Sequence, residues 1–269
     1  MMPIPSYPVS PQLLDCWQHL PAKEILCLGL LLPDHSRHLD ESLDKLVSSG
    51  DRQRAKNFQN PDDRLRHLLG RAMLRQTLAL PDMEFPVNPW GKPEFPGGRI
   101  HFNISHGGRE VWVALSKTTS VGIDVEEESI PDVRDLANSL HPQEAEAILS
   151  LPPDQASIAF CRCWTRKEAA LKALGQGLSV PLADFQVATD NRPTDWLIEP
   201  PRPPVRSWTV ADLPVSQGHR GAIAALSADQ VVKVLRLAPH PDGHFVACHP
   251  QGARRHSGSS SSCVAERFI

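Results

Sequence analysis

The chain has 269 residues, enough for one large domain or two small ones, and its 41% hydrophobic content is ordinary for a globule with a sizeable core. A formal charge of −3 excludes a general affinity for nucleic acid or for an anionic membrane surface, and no apolar run approaches the length of a membrane span. Six cysteines (Cys16, Cys27, Cys161, Cys163, Cys248 and Cys263) lack the paired spacing of a zinc site or a disulfide framework, so reduced, largely buried thiols are expected.

In chain order, residues 1–20 are rich in proline and polar groups and lack the basic-then-apolar order of a secretory leader. They read as an N-terminal extension of a cytoplasmic protein. Residues 25–32 form an apolar run that reads as a buried strand. Residues 51–80 read as helical, interrupted at Pro61, which suits the first turn of a second helix with Leu65, Leu68, Leu69, Ala72 and Met73 as its apolar stripe. Residues 52–75 carry seven basic side chains (Arg52, Arg54, Lys56, Arg64, Arg66, Arg71, Arg75) against Asp62 and Asp63. Such a run is usually a solvated face, but arginine also grips phosphate through two parallel hydrogen bonds. Gly91-Lys92-Pro93 reads as a turn into an extended segment.

Residues 100–104 and 111–115 read as strands joined through Gly107-Gly108. Ser105 and His106 sit between them. Neighbouring strand residues point to opposite faces and no Gly-x-Ser-x-Gly elbow is present, which disfavours a serine hydrolase. Residues 121–126 alternate like a strand, so Asp124 and Glu126 share a face. A helix follows His141-Pro142, with Glu144 near its start as a dipole partner or a weak functional candidate. Another helix runs over about 156–174 and stops at Gly175. On it Trp164, Glu168 and Lys172 recur every fourth residue along one stripe, while Lys167 faces elsewhere as a solvated group or weak phosphate contact. Strands are expected over 185–188, 208–211 and 221–226, a loop or hairpin edge over 193–204, and a mobile tail over 239–269.

Singly, an Asp-x-Glu strand is an edge and a Glu168–Lys172 pair is a surface contact worth a few tenths of a kcal/mol. If the stripe lies over the strand, three acids and an ammonium meet. Such acids need a cation, and an all-oxygen set suits Mg²⁺, with a phosphate as a further ligand.

Four segments in series then carry a resemblance: Gly91-Lys92-Pro93, Asn103-Ile104-Ser105-His106, Gly122-Ile123-Asp124-Val125-Glu126, and the stretch from Trp164 to Gly175-Gln176-Gly177-Leu178. Over roughly residues 25–230 the chain resembles the 4′-phosphopantetheinyl transferases of the type that activates surfactin synthetase. The resemblance implies an α+β fold of two similar α/β halves in a pseudo-twofold arrangement, with the active site at their interface. The halves would span 21–120 (coenzyme A and carrier contacts) and 121–238 (metal site and catalytic helix). It implies transfer of the 4′-phosphopantetheine of coenzyme A to a serine of an apo acyl, peptidyl or aryl carrier protein, with release of adenosine 3′,5′-bisphosphate. Asp124, Glu126 and Glu168 would hold Mg²⁺, and Glu168 would serve as ligand, as base, or as both. Lys172 would clamp a phosphate, and His106 with Ser105 would meet the donor's phosphates. Lys92 and Pro93 would line the adenine end, and Arg54 and Arg66 would meet the 3′-phosphate. Asp51 stands where the family has a base, with Arg52 next to it, so one 3′-phosphate contact departs from the family's pattern. Two other readings use the same acids: a Mg²⁺-dependent phosphoryl or pyrophosphate hydrolase, and a non-catalytic carrier-binding module. No nucleic acid or membrane partner is expected, and the buried interface between the halves favours a monomer.

Overall fold

The structure is a computed structural model that describes residues 9–32, 43, 45–80, 82–129, 132–202, 207–240, 243–248 and 266–267. Helix α1 (Pro11–Gln18) starts on the N-cap Ser10 with proline in its first turn. Then come β1 (Glu24–Leu31), α2 (Ser49–Ala55) and α3 (Pro61–Leu78). Pro61 opens α3, as the sequence predicts, and Asn60 caps it. Three strands follow, β2 (His101–Gly107), β3 (Glu110–Ser116) and β4 (Val121–Glu127). Helices α4 (Val133–Ala137), α5 (Pro142–Leu149) and α6 (Pro153–Leu174) precede the short hairpin β5 (Gln186–Val187) and β6 (Leu197–Glu199). The chain then forms β7 (Thr209–Asp212), β8 (His219–Ala225), β9 (Val231–Pro239), β10 (Phe245–Ala247) and β11 (Glu266–Arg267).

The fold is α+β. One sheet runs β10-β9-β1-β3-β2, with β11 on the side of β9; a second runs β4-β8-β7. Strand alternation explains the layering. In β1, Leu26, Leu28 and Leu30 face α1 and α3, while Ile25 and Cys27 face the second sheet. In β4, Val121, Ile123 and Val125 join that middle core, which leaves Gly122, Asp124 and Glu126 on the side of α6. The order of layers is therefore helices, sheet, sheet, helix.

Strand β2 edges the first sheet and β4 edges the second. Side chains stitch these edges together: Asn103 Oδ1 accepts from the Ile123 N–H at 2.9 Å and Ser105 Oγ from the Val125 N–H at 3.3 Å. Asn103→Ala would leave a buried N–H unpaired, so a loss of about 1–3 kcal/mol is expected in urea unfolding.

Several expectations are corrected. The stretch read as an N-terminal extension contributes α1, whose Leu13, Cys16 and Trp17 are buried in the first core. Residues 231–238, placed by sequence in the second half with no strand expected there, form β9, which pairs parallel with β1 in the first sheet and so completes a strand buried on both faces. Part of the expected tail is strand: Phe245–Ala247 and Glu266–Arg267 both pair with β9. Residues 249–265 of that tail lie outside the described residues. Cys27, Cys161, Cys163 and Cys248 are free thiols, but Cys16 is disulfide-bonded. Among the described residues no helix is long and apolar enough to cross a membrane.

Candidate active site

Helix α6 lies directly on β4 because Gly122 has no side chain. A Cβ there would stand 2.1 Å from the Ala169 carbonyl oxygen and 2.2 Å from the Ala173 nitrogen. The helix ends in a left-handed C-cap at Gly175, φ +73°, whose N–H donates to Leu171 O at 2.9 Å. The loop before β2 clamps the same end: Asn88 Nδ2 donates to Gly175 O at 2.8 Å, and the Lys92 ammonium donates to Lys172 O at 2.6 Å, Val121 O at 3.0 Å and Ser120 Oγ at 3.2 Å.

This contact brings the acids and the ammonium together. Lys172 Nζ stands 2.5 Å from Asp124 Oδ1 and 3.2 Å from Ser105 Oγ. Ser105 Oγ also donates to Asp124 Oδ1 at 2.9 Å. The second oxygen, Asp124 Oδ2, is buried with no hydrogen-bond partner among the described residues. Burial first, then the charges of Asp124 and Glu168, push Glu126 up to about 7, against the pull of Lys172 and a hydrogen bond from Trp164. Glu168 is raised too, by burial and by Asp124.

These groups border a cavity of about 340 Å³. Asp124, Glu126 and Lys172 form one wall, Ser105 and His106 lie between, and Arg54, His67 and Arg71 form the other. A neighbouring hollow of about 290 Å³ shares Pro93 and Phe102 with it. Burial, then Arg66 and Lys172, lowers the His106 imidazole. Burial, aided by Arg71, lowers His67 from 6.5 to about 4. The unfolded chain therefore binds more protons between these values, and stability linked to His67 is lost as pH falls from about 6.5 to about 4. A His67→Gln variant is expected to lose stability less steeply than the parent across that window, measured by urea unfolding at each pH.

The structure thus gathers Asp124, Glu126, Lys172, Ser105, His106, Pro93 and Arg54 around one space, with Glu168 close enough to act on the Glu126 and Asp124 charges. Other expected contacts are directed elsewhere. Arg66 donates to Gly108 O at 2.7 Å and pairs with Asp63. The ammonium of Lys92 is directed at three protein oxygens, so Pro93 is the member of its motif that borders the main cavity. Lys167 is not solvated: it forms a fully buried pair with Glu144 at 2.9 Å and donates to Leu182 O and Phe185 O, which makes both residues structural. His67 was missed by sequence reasoning and Arg71 was named only as one of seven basic residues, although the two stand one turn apart on the same face of α3.

A sequence model of the 4′-phosphopantetheinyl transferase superfamily matches residues 120–226, the stretch from β4 through α6 to β8 that builds the acidic wall. A 4′-phosphopantetheinyl transferase of Bacillus subtilis is 29% identical over 205 residues, covering 73% of this chain and 84% of the relative. The 4′-phosphopantetheinyl transferase Sfp of Bacillus subtilis (strain 168) is 30% identical over 159 residues, 56% of this chain and 70% of the relative. The chain belongs to the 4′-phosphopantetheinyl transferase superfamily. HetI, a transferase of the same description from a Nostoc strain, is 33% identical over 55% of this chain and 67% of its own length. Within this transferase the four sequence segments share one purpose, setting α6, β4 and β2 around a single cavity.

Do these residues suit Mg²⁺? Among the described residues no three His, Cys, Asp or Glu groups form a ready metal cage. The donors are nevertheless all oxygen, Asp124 Oδ2 is buried without a partner among the described residues, and Glu126 is raised by burial and then by its acidic neighbours. That pattern suits an ion that keeps several waters and takes one or two carboxylates, which is the habit of Mg²⁺.

Proposed function

We propose that the protein transfers 4′-phosphopantetheine from coenzyme A to the serine of an apo acyl, peptidyl or aryl carrier protein, with Mg²⁺ held by Asp124, Glu126 and Glu168. The observation that carries this reading is one cavity with an acidic, lysine-bearing wall and a basic wall, in a chain of this superfamily. Coenzyme A has two separated anionic groups, a pyrophosphate and a ribose phosphate, and two such walls match them.

The chain's own groups suit each task. The Lys172 ammonium has three N–H donors; two point to Asp124 and Ser105, and the third, which has no partner among the described residues, would meet an oxygen of the pyrophosphate. There it stabilises the charge that grows on the leaving group. His106 presents a hydrogen-bonding imidazole to the donor. The acceptor serine oxygen forms a bond to the phosphorus that bears pantetheine, and the bond from that phosphorus to the bridging oxygen breaks. Adenosine 3′,5′-bisphosphate departs, and the serine proton passes to Glu168, whose carboxyl is raised by burial and by Asp124. Bound Mg²⁺ supplies charge neutralisation at the pyrophosphate. In this reading the protein acts as a monomer in the cytoplasm.

The test is to incubate the protein with coenzyme A, Mg²⁺ and two unrelated apo carriers and to weigh the carriers by intact mass spectrometry. A gain of one phosphopantetheine on the serine, lost on chelation, is the expected result. Cleavage of coenzyme A with no gain on either carrier would replace the transferase by a hydrolase.

A further inference from the structure

The basic wall of the cavity contains a rearrangement. Asp51, which replaces an expected base, is buried at the start of α2, where it closes a capping box with Ser48. Its carboxylate faces two arginines of α3 unequally. Oδ2 takes both Arg75 Nε at 2.7 Å and Arg75 Nη2 at 2.6 Å, whereas Oδ1 stands 3.5 Å from Arg71 Nε. Arg75 is fully buried and also donates to Leu80 O and Met83 O. Asp51 and Arg75 thus neutralise each other, and Arg71 is guided by Asp51 without being saturated by it.

Arg71 is only 6% exposed, yet it borders the cavity. Beside it lie Arg54 and His67, whose Nε2 is buried with no hydrogen-bond partner among the described residues. A mostly buried guanidinium next to an unpartnered imidazole nitrogen is a site that an anion completes: the guanidinium donates, and the imidazole donates in the tautomer that carries its proton on Nε2. The opposite wall holds the acids and Lys172, so the anion at Arg71 belongs to the other end of the donor.

We propose that Arg71, positioned by Asp51, takes the 3′-phosphate of coenzyme A in this chain, with Arg54 and His67 beside it. The base absent at position 51 is thereby replaced from α3 rather than lost. This assignment rests on coenzyme A being the donor. It adds a specificity-determining residue to the reaction: Arg71 selects coenzyme A over its 3′-dephospho form.

Calorimetric titration of coenzyme A and of 3′-dephospho-coenzyme A into the protein tests it without requiring transfer. The parent is expected to prefer coenzyme A. Arg71→Ala should weaken coenzyme A roughly ten- to a hundredfold, as loss of a charged hydrogen bond predicts, and leave the dephospho form within about twofold. Arg71→Lys, which keeps the charge in the same fold, should retain part of the preference. Asp51→Asn should shift it in the same direction by less. An unchanged preference in Arg71→Ala, equal weakening of both donors, or no preference in the parent would each overturn the assignment. If the preference follows Arg71 but no carrier gains mass, the transferase reading fails and the phosphate site stands. If carriers gain mass while Arg71→Ala keeps the preference, the reverse holds.

Discussion

Glu168→Gln is expected to cut transfer to an apo carrier by about 10²–10⁴-fold with the fold retained. Glu168 lies half-buried on α6, and its carboxyl is raised by burial and by Asp124. The amide keeps the shape but neither accepts a proton nor binds a cation as a carboxylate does. Because it also removes one of three mutually repelling acids, the melting temperature should not fall. Two further readings divide the possible roles of Glu168. A fall in kcat at an unchanged Mg²⁺ requirement, with loss of the low-pH limb of the rate profile, assigns a base. A raised Mg²⁺ requirement assigns a ligand. Undiminished transfer would remove Glu168 from the chemistry altogether.

Gly122→Ala is expected to have the largest effect on stability. The added carbon would press on the Ala169 carbonyl and the Ala173 nitrogen at about 2 Å, and both are backbone atoms of a helix that cannot turn aside as a side chain could. The strain amounts to at least about 3 kcal/mol, which lowers the melting temperature of a chain of this size by roughly 10 °C. Any relief requires α6 to lift from β4, which would separate Glu168 and Lys172 from Asp124. Calorimetric melting and the carrier assay should therefore fall together. A variant with the parent's melting temperature and activity would show that the close contact is not required.

Much of the acidic wall was legible in sequence because it rests on local periodicity. Alternation in β4 put Asp124 and Glu126 on one side, and four-residue spacing on α6 put Glu168 and Lys172 on one stripe. The failures arise where a partner distant in sequence decides the environment. Periodicity turned Lys167 away from the stripe correctly, but only the packing of α5 makes that direction a buried one, against Glu144. Nothing near Lys92 predicts that its ammonium meets carbonyls of β4 and α6. Asp51 read as a missing base because its arginines lie on the next helix, and the strand over 231–239 was not expected because a parallel pairing leaves no local turn signal.

The return of β9 to the side of β1 has a consequence for biosynthesis. Strand β1 needs β3 on one flank and β9 on the other, and β9 leaves the ribosome about 200 residues after β1. At ordinary translation speeds the interval is roughly 10–40 s, during which an apolar strand waits with one flank open. The nascent chain that ends before β9 is thus not a finished unit. Ribosome-bound chains stopped before residue 231 should resist proteolysis less than chains stopped after residue 239 has cleared the exit tunnel.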